Sequence, residues 1–325
     1  MSVVAPETSA LSRAGNFLRN NPTLPLAILL LALVVLLEVM RPGIVNDRWL
    51  GNTVKFAVPL AMLAACQTLT MLTGGIDLSA GVVATITGYV LATQIPIVGV
   101  PLAIVIALAP ALLVGLINGF GVAICRVHPL IMTLGTGLIA TGCLQVYQRY
   151  VIATGVNIPD FLTWIATGRI GSFPNALFLF VPFAAIIVLG QRRTGFGRLL
   201  YALGSNEKAA RLSGVYPWRV YMALYALSGL IAGIAGFIDL GLIRTASLSL
   251  AMPLVLPSVA ATVVGGTSIF GGRGGYGGTI IGALILTVLG TLLTLLQMPE
   301  GARRILFGLI ILAVTALYAR FTDQT

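Results

Sequence analysis

Residues 72–81, LTGGIDLSAG, set one carboxylate, Asp77, and one hydroxyl, Ser79, beside a Gly74-Gly75 pair. Apolar sequence runs on both sides: 54–73 carries Lys55 as its one charge, and 80–98 carries none. Two roles suit such a carboxylate. It can cap the helix that follows, accepting from the Leu78, Ser79 or Ala80 amides where water is scarce. It can also belong to a functional site between the two apolar segments, and the two roles are compatible. Gly74 and Gly75 supply the backbone freedom for a tight turn beside other helices. Other chemistry is sparse. The single histidine, His128, precludes an HExxH or His-rich metal site. Cys66, Cys125 and Cys143 have no zinc spacing and read as small buried hydrophobes. The G-x-G-x-x-G of residues 272–277 follows an apolar span instead of a strand, which rejects a dinucleotide site. No P-loop is present, and Lys55 and Lys208 are the only lysines. The chain by itself therefore is not expected to hydrolyse ATP through a P-loop or to carry a metal or cofactor.

The elements that must position these residues are membrane helices. Of 325 residues, 58% are hydrophobic and 9% charged, against about 25% charged in a soluble domain. A soluble surface cannot be covered with so little charge, so the main solvent is lipid. A crossing takes about 20 apolar residues, and ten stretches qualify: 24–40, 54–73, 80–98, 100–124, 129–150, 175–190, 220–241, 253–270, 277–297 and 304–319. The first reads as an uncleaved helix and not as a signal peptide. Between the sixth and seventh spans lie Arg192, Arg193, Arg198, Lys208, Arg211 and Arg219, opposed by Glu207 alone. That excess places loop 191–219 in the cytoplasm. The N-terminal segment 1–23, with Arg13 and Arg19, and the C-terminus then lie there too. The net charge of +10 thus belongs to membrane topology and not to nucleic-acid binding. Gly115 with Gly119, Gly229 with Gly233, and Gly278 with Gly282 allow close helix approach. Pro59, Pro110, Pro182 and Pro257 each remove a helical donor and tend to bend their spans. Deep ionisable groups, which ion-coupled carriers use, are few: Glu38 and Asp239, the latter near Arg244, read as interfacial or locally paired.

Three stretches carry a resemblance: LTGGIDLSAG (72–81), RTGFGRLLYALGSNEKAARLSGV (193–215) and VVGGTSIFGGRGGYGGTIIGALIL (263–286). A looser fourth is GLINGFGVAICRVHPLIMTLGT (115–136). From about residue 50 onward the chain resembles the sugar-type permeases of ABC importers, the family of the ribose, arabinose and xylose permeases. The resemblance implies a partner permease, either a second copy or a paralogue. It also implies a cytoplasmic ATPase with two nucleotide-binding halves, which binds the ATP, and a periplasmic sugar-binding protein. Three departures bear on the substrate: Ala80 stands where Val is common, Leu130 replaces Phe, and no acid lies between Asp239 and Glu300, where relatives carry a Glu-Leu-Asp-type segment.

Within 191–219, Asn206 suits an N-cap, Glu207 the first turn and Gly214 the C′ position. The resulting helix of about two turns is marginal alone in water. With the resemblance it reads as an ATPase-coupling helix comprising Gly204, Asn206, Glu207, Ala209, Ala210, Arg211, Leu212 and Gly214. Ala209, Ala210 and Leu212 are expected to enter a groove on the partner. Candidate path or gate residues are Gly74, Gly75, Asp77, Ser79, Gln67, Thr70, Asn118, Thr133, Thr136, Gly265, Gly266 and Thr267. The expected architecture is an all-α polytopic bundle, a single permease domain over 1–325 in a bacterial inner membrane. Its expected activity is import of a sugar or polyol by alternating access. Rival readings are a permease for branched-chain amino acids or nucleosides, an ion-coupled secondary transporter, and an intramembrane enzyme.

Overall fold

A computed structural model describes residues 23–151, 156–171 and 173–322; Arg13 and Arg19 lie outside them. Within them the chain forms twelve α-helices and one two-stranded hairpin. In order, these are α1 (Thr23–Met40), α2 (Asp47–Met71), α3 (Ala80–Val98), α4 (Val100–Ala123), α5 (Pro129–Val151) and α6 (Asp160–Thr167). There follow β1 (Arg169–Ile170) and β2 (Phe173–Pro174), then α7 (Ala176–Arg193), α8 (Gly195–Leu212) and α9 (Pro217–Ile243). The chain closes with α10 (Val255–Val264), α11 (Tyr276–Leu295) and α12 (Glu300–Thr322).

Eight helices among the described residues, α1–α5, α7, α9 and α11, are long and apolar enough to cross a membrane. The expected span 253–270 is not one helix. α10 holds ten residues, about 15 Å at 1.5 Å each, half of a hydrocarbon core of about 30 Å. Pro253 and Pro257 crowd its start, and Gly265-Gly266 ends it, so the apolar composition that suggested a span lacks continuous helix geometry. Prolines within α2, α4 and α7 (Pro59, Pro110, Pro182) leave those helices continuous.

α2, α3 and α9 are buried along most of their length, with the other helices around them. The glycine pairs explain how closely they approach. A Cβ at Gly115 would overlap the Tyr225 carbonyl, and one at Gly119 would sit 2.9 Å from Met222 Cα, so α4 lies directly on α9. Gly229 meets the Ala111 carbonyl in return, while Gly278 and Gly282 meet the Gly265 and Ala261 carbonyls and bring α11 onto α10. Lipid gives helices no hydrophobic reason to associate, so this close van der Waals contact supplies the attraction. Hydroxyls add direct ties: Thr68 to Thr279 (2.8 Å), Thr262 to the Ala64 carbonyl (3.1 Å) and Tyr276 to the Ala61 carbonyl (2.8 Å) bind α2 to α10 and α11.

α2 and α10 end in the same way. Gly74 N–H bonds Met71 O (2.9 Å) and Gly75 N–H bonds Thr70 O (3.0 Å); Gly266 N–H bonds Val263 O (2.9 Å) and Thr267 N–H bonds Thr262 O (3.1 Å). This paired i−3 and i−5 pattern is a Schellman cap, whose C′ residue is left-handed. Gly74 has φ +77° and Gly266 φ +88°, conformations that an L side chain strains to adopt.

Other expectations change. Cys125 and Cys143 are exposed, and only Cys66 is buried, because α5 and the end of α4 turn outward. Glu38 accepts from Gly43 N (2.7 Å) and Val45 N (3.0 Å), closing the turn after α1 as an interfacial residue. Asp239 and Arg244 do not pair: Arg244 bonds the Thr167 hydroxyl (2.9 Å), and Asp239 Oδ2 has no partner among the described residues. Arg244 is the left-handed cap of α9, which turns its side chain toward α6.

Candidate functional site

Asp77 lies in the turn between α2 and α3 and is 2% exposed. One carboxylate oxygen accepts from Ser79 N (3.0 Å) and Ser79 Oγ (2.6 Å), an Asx-type turn that leads into α3. The other accepts from Ser228 Oγ (2.7 Å) on α9. Ser228 is eleven residues into α9, about 16 Å from its start, so the carboxylate is held well inside the bundle. The N-cap residue of α3 is Ser79 and not Asp77, so the carboxylate supports the turn before the cap, and α9 adds a tie that the sequence did not reveal.

Neighbouring helices grip the same turn. The Gln67 amide brackets the Asp77 peptide, donating to its carbonyl (2.7 Å) and accepting from its N–H (3.2 Å). Thr133 Oγ1 donates to Ile76 O (3.0 Å) and accepts from Leu78 N (3.1 Å). Asn118 Nδ2 donates to Ser79 Oγ (2.9 Å), and Asn118 Oδ1 accepts from Thr136 Oγ1 (2.6 Å). Residues of α2, α4, α5 and α9 thus converge on six residues of non-helical backbone. Such backbone persists at membrane depth only where protein or water satisfies it, and here protein does.

Six expected site residues, Gln67, Asp77, Ser79, Asn118, Thr133 and Thr136, form this one network, all buried. Thr70 does not join it. Its hydroxyl bonds back to Cys66 O (2.9 Å) and Gln67 O (3.2 Å) within α2. Gly265, Gly266 and Thr267 belong to the second turn, between α10 and α11, where Thr267 Oγ1 accepts from Gly275 N (3.3 Å). Ser228 was missed by sequence reasoning. It sits in a run of small residues that reads as helix packing, 151 positions from Asp77, and no local signal links the two.

The 191–219 region is more helical than expected. α8 runs from Gly195 to Leu212 with a break at Asn206, whose backbone is extended (φ −163°, ψ 100°). Asn206 Oδ1 accepts from Ala209 N (3.0 Å), the expected N-cap bond. Gly214, at φ +86°, takes the expected C′ place, with Gly214 N bonding Arg211 O (3.0 Å) and Val215 N bonding Ala210 O (3.1 Å). Glu207 pairs with Arg211 (3.0 Å) and accepts from Tyr221 Oη (3.2 Å), which moors the turn to α9. Ala210 is buried within the chain, so it is not available to a partner's groove; helical spacing turns it inward when Ala209 and Leu212 face out. Leu212 is 90% exposed, more than any other large apolar residue described. Gly204 faces inward as well, onto the two turns. Beside this tip opens a basin of about 880 Å³, lined among others by Gly74, Arg126, His128, Glu207, Arg211 and Trp218. Tyr201 donates to Gly274 O (2.8 Å); burial pushes its phenol up and outweighs the opposing pull of Arg192, so it stays a donor.

Among the described residues no group of His, Cys, Asp or Glu is arranged to hold a metal ion. What the arrangement can do is mechanical: a bonded break within the bundle and a solvent-facing apolar tip lie on either side of one junction.

No solved structure matches this chain. The family described as branched-chain amino acid transport system / permease component matches residues 50–315. The ribose import permease protein of Escherichia coli K12 is 35% identical over 302 residues, covering 91% of this chain and 92% of its own length. The galactofuranose transporter permease protein of the same organism is 35% identical over 79% of this chain and 76% of itself. The fructose import permease protein of Rhizobium meliloti is 30% identical over 96% and 89%. With most of its length matched, from the first turn through the glycine-rich second, the chain belongs to the family of branched-chain amino acid transport system permease components.

Proposed function

We propose that this chain is the membrane-spanning permease subunit of an ABC importer that carries a sugar or sugar-like polyol into the cytoplasm by alternating access. The relatives named for ribose, galactofuranose and fructose support the substrate class. The observation that carries the coupling role is the tip at 207–214: an apolar side chain 90% exposed among Lys208, Arg211 and Arg219, outside the spans. A side chain so exposed gains most from a partner that covers it. In this reading the partner is a cytoplasmic ATPase with two nucleotide-binding halves, which supplies the hydrolysis this chain lacks. Ala209 and Leu212 enter its groove, while Asn206, Glu207, Arg211 and Gly214 hold the tip in shape.

The subunit sits in the bacterial inner membrane with both termini cytoplasmic. It makes ten crossings, of which α10 with the turn that follows is a broken one and α12 the last. A periplasmic sugar-binding protein delivers the solute, and a second permease, copy or paralogue, completes the pathway. The network around Asp77 and the turn 265–267 holds the gate closed in the packed state. The subunit needs no cofactor of its own.

The test is reconstitution of the chain with an ABC ATPase and a sugar-binding protein in vesicles, followed by uptake of radiolabelled ribose and fructose. ATP-dependent uptake of either is expected. Uptake of leucine instead would move the substrate to amino acids, and uptake driven by an ion gradient without the ATPase would remove the ABC reading.

A further inference from the structure

The two turns that interrupt the bundle touch each other, and α8 touches both at one residue. Gly272 N–H, in the second turn, donates to Leu72 O at the end of α2 (3.0 Å). Gly204 of α8 rests on that bond. A Cβ there would overlap the Leu72 oxygen and lie 2.6 Å from the Gly272 nitrogen. On the other side, a Cβ at Gly271 would lie 2.9 Å from Gly204 O and 3.0 Å from Gly74 N. Three strands of backbone therefore meet with no side chain between them. Two flanking contacts hold α8 to the second turn: the Tyr201–Gly274 bond, and Ser205, whose Oγ would lie 2.7 Å from a Cβ at Gly272. The exposed tip begins three residues beyond Gly204, after the extended Asn206.

We infer that Gly204 is a positioning residue for transport, the joint through which movement of the α8 tip displaces both turns together. The inference rests on the proposal that the ATPase docks at 207–214. The physical reason is the absence of slack. A contact made through side chains can absorb a shift of several tenths of an ångström by rotamer adjustment, whereas backbone packed on backbone passes it on. Leu72 and Gly272 are joined by one hydrogen bond, so a push at Gly204 acts on both. Leu72 is five residues before Asp77 and its network, and Gly272 four before Tyr276, where α11 starts. Tyr276 N–H is bonded to Gln191 Oε1 (2.9 Å) at the end of α7. One displacement thus reaches the ends of α2 and α11 at the same moment. Coupling between two sites needs an element that both bias, and the hydrogen-bonded pair of turns is that element.

The experiment uses the full complex in vesicles, with a reporter cysteine, Phe270→Cys, in the second turn. Phe270 is 61% exposed, and the two exposed native thiols are removed by Cys125→Ser and Cys143→Ser. Maleimide labelling is compared with and without ATP under non-hydrolysing conditions. In the otherwise unaltered chain, ATP is expected to change the labelling rate at least about fivefold. Gly204→Ala should still co-purify with the ATPase, yet lose most of that change. Tyr201→Phe, which adds no volume, should lose a smaller part of it. An ATP response of unaltered size in an assembled Gly204→Ala complex would overturn the inference. If Gly204→Ala does not fold, Tyr201→Phe decides: an undiminished response refutes the joint, and a reduced one in a complex of normal melting temperature supports it. If the unaltered chain fails to co-purify with the ATPase, the docking proposal itself falls and takes the joint with it. Assembly with no ATP response at residue 270 in the unaltered chain refutes the joint alone.

Discussion

The turns after α2 and α10 carry the same helix cap and are held in opposite ways. At 72–79, side chains from four helices satisfy the backbone: Gln67, Thr133, Asn118 through Ser79, and Ser228 through Asp77. At 265–275 the bonds are mostly backbone and local, Ser268 N to Arg273 O (3.0 Å) and Gly275 N to Thr267 Oγ1 (3.3 Å), with left-handed glycines at 266, 271, 272 and 274. The first turn is held by long-range polar contacts from four helices. The second has few side chains to release and leans on α8. The pair thus joins a turn held by side chains of distant helices to one held mostly by its own backbone.

The most severe way to break the comparison is Asp77→Leu. It leaves Ser79 N, Ser79 Oγ and Ser228 Oγ without their acceptor inside the bundle, at a cost of about 3–5 kcal/mol, a large part of a typical domain's stability. Loss of the melting transition in detergent, and of uptake, is expected. Asp77→Asn keeps an acceptor for Ser79 and can donate to Ser228, so uptake should largely persist. Equal loss in both variants, with normal assembly, would mean the negative charge itself is required.

Ser228→Ala is next. It removes one donor from the carboxylate and should lower stability by about 2 kcal/mol, read as a lower melting temperature than the unaltered chain. A melting temperature equal to the unaltered chain's would show that the tie to α9 does not hold the first turn.

Gly74→Ala and Gly266→Ala test the shared cap. Both positions have positive φ and neither is crowded: the nearest atom to a Cβ at Gly74 is Phe270 O at 3.5 Å, and none lies within 4 Å at Gly266. Strain alone, about 1–2 kcal/mol, should appear at each. Unequal losses in thermal melts would mean that the two caps are not equivalent.

The smallest effect belongs to Thr70→Val. The Thr70 hydroxyl bonds only within its own helix, so the change should stay within about 0.5 kcal/mol and leave uptake intact. A large loss of uptake would place the Thr70 hydroxyl on the solute path.

Local backbone rules made much of this protein legible. Apolar runs of crossing length marked the long helices, because a helix in lipid must satisfy its own backbone. The Gly74-Gly75 and Gly214 ends and the Asn206 cap were readable because a left-handed residue or a capping side chain acts within a few positions. At 253–270 the same rules did not foresee the break: the prolines and glycines leave ten α-helical residues in place of one continuous helix. What tertiary structure alone decided were the contacts between distant segments. Ser228 meets Asp77, Gly204 meets Leu72 and Gly272, Ala210 turns inward while Leu212 faces out, and Thr70 stays out of the network that Gln67, one turn away, enters. Composition marks a helix as apolar, but whether it is buried and which of its faces meets which neighbour depends on how all the helices pack at once, and no stretch of sequence carries that sum by itself.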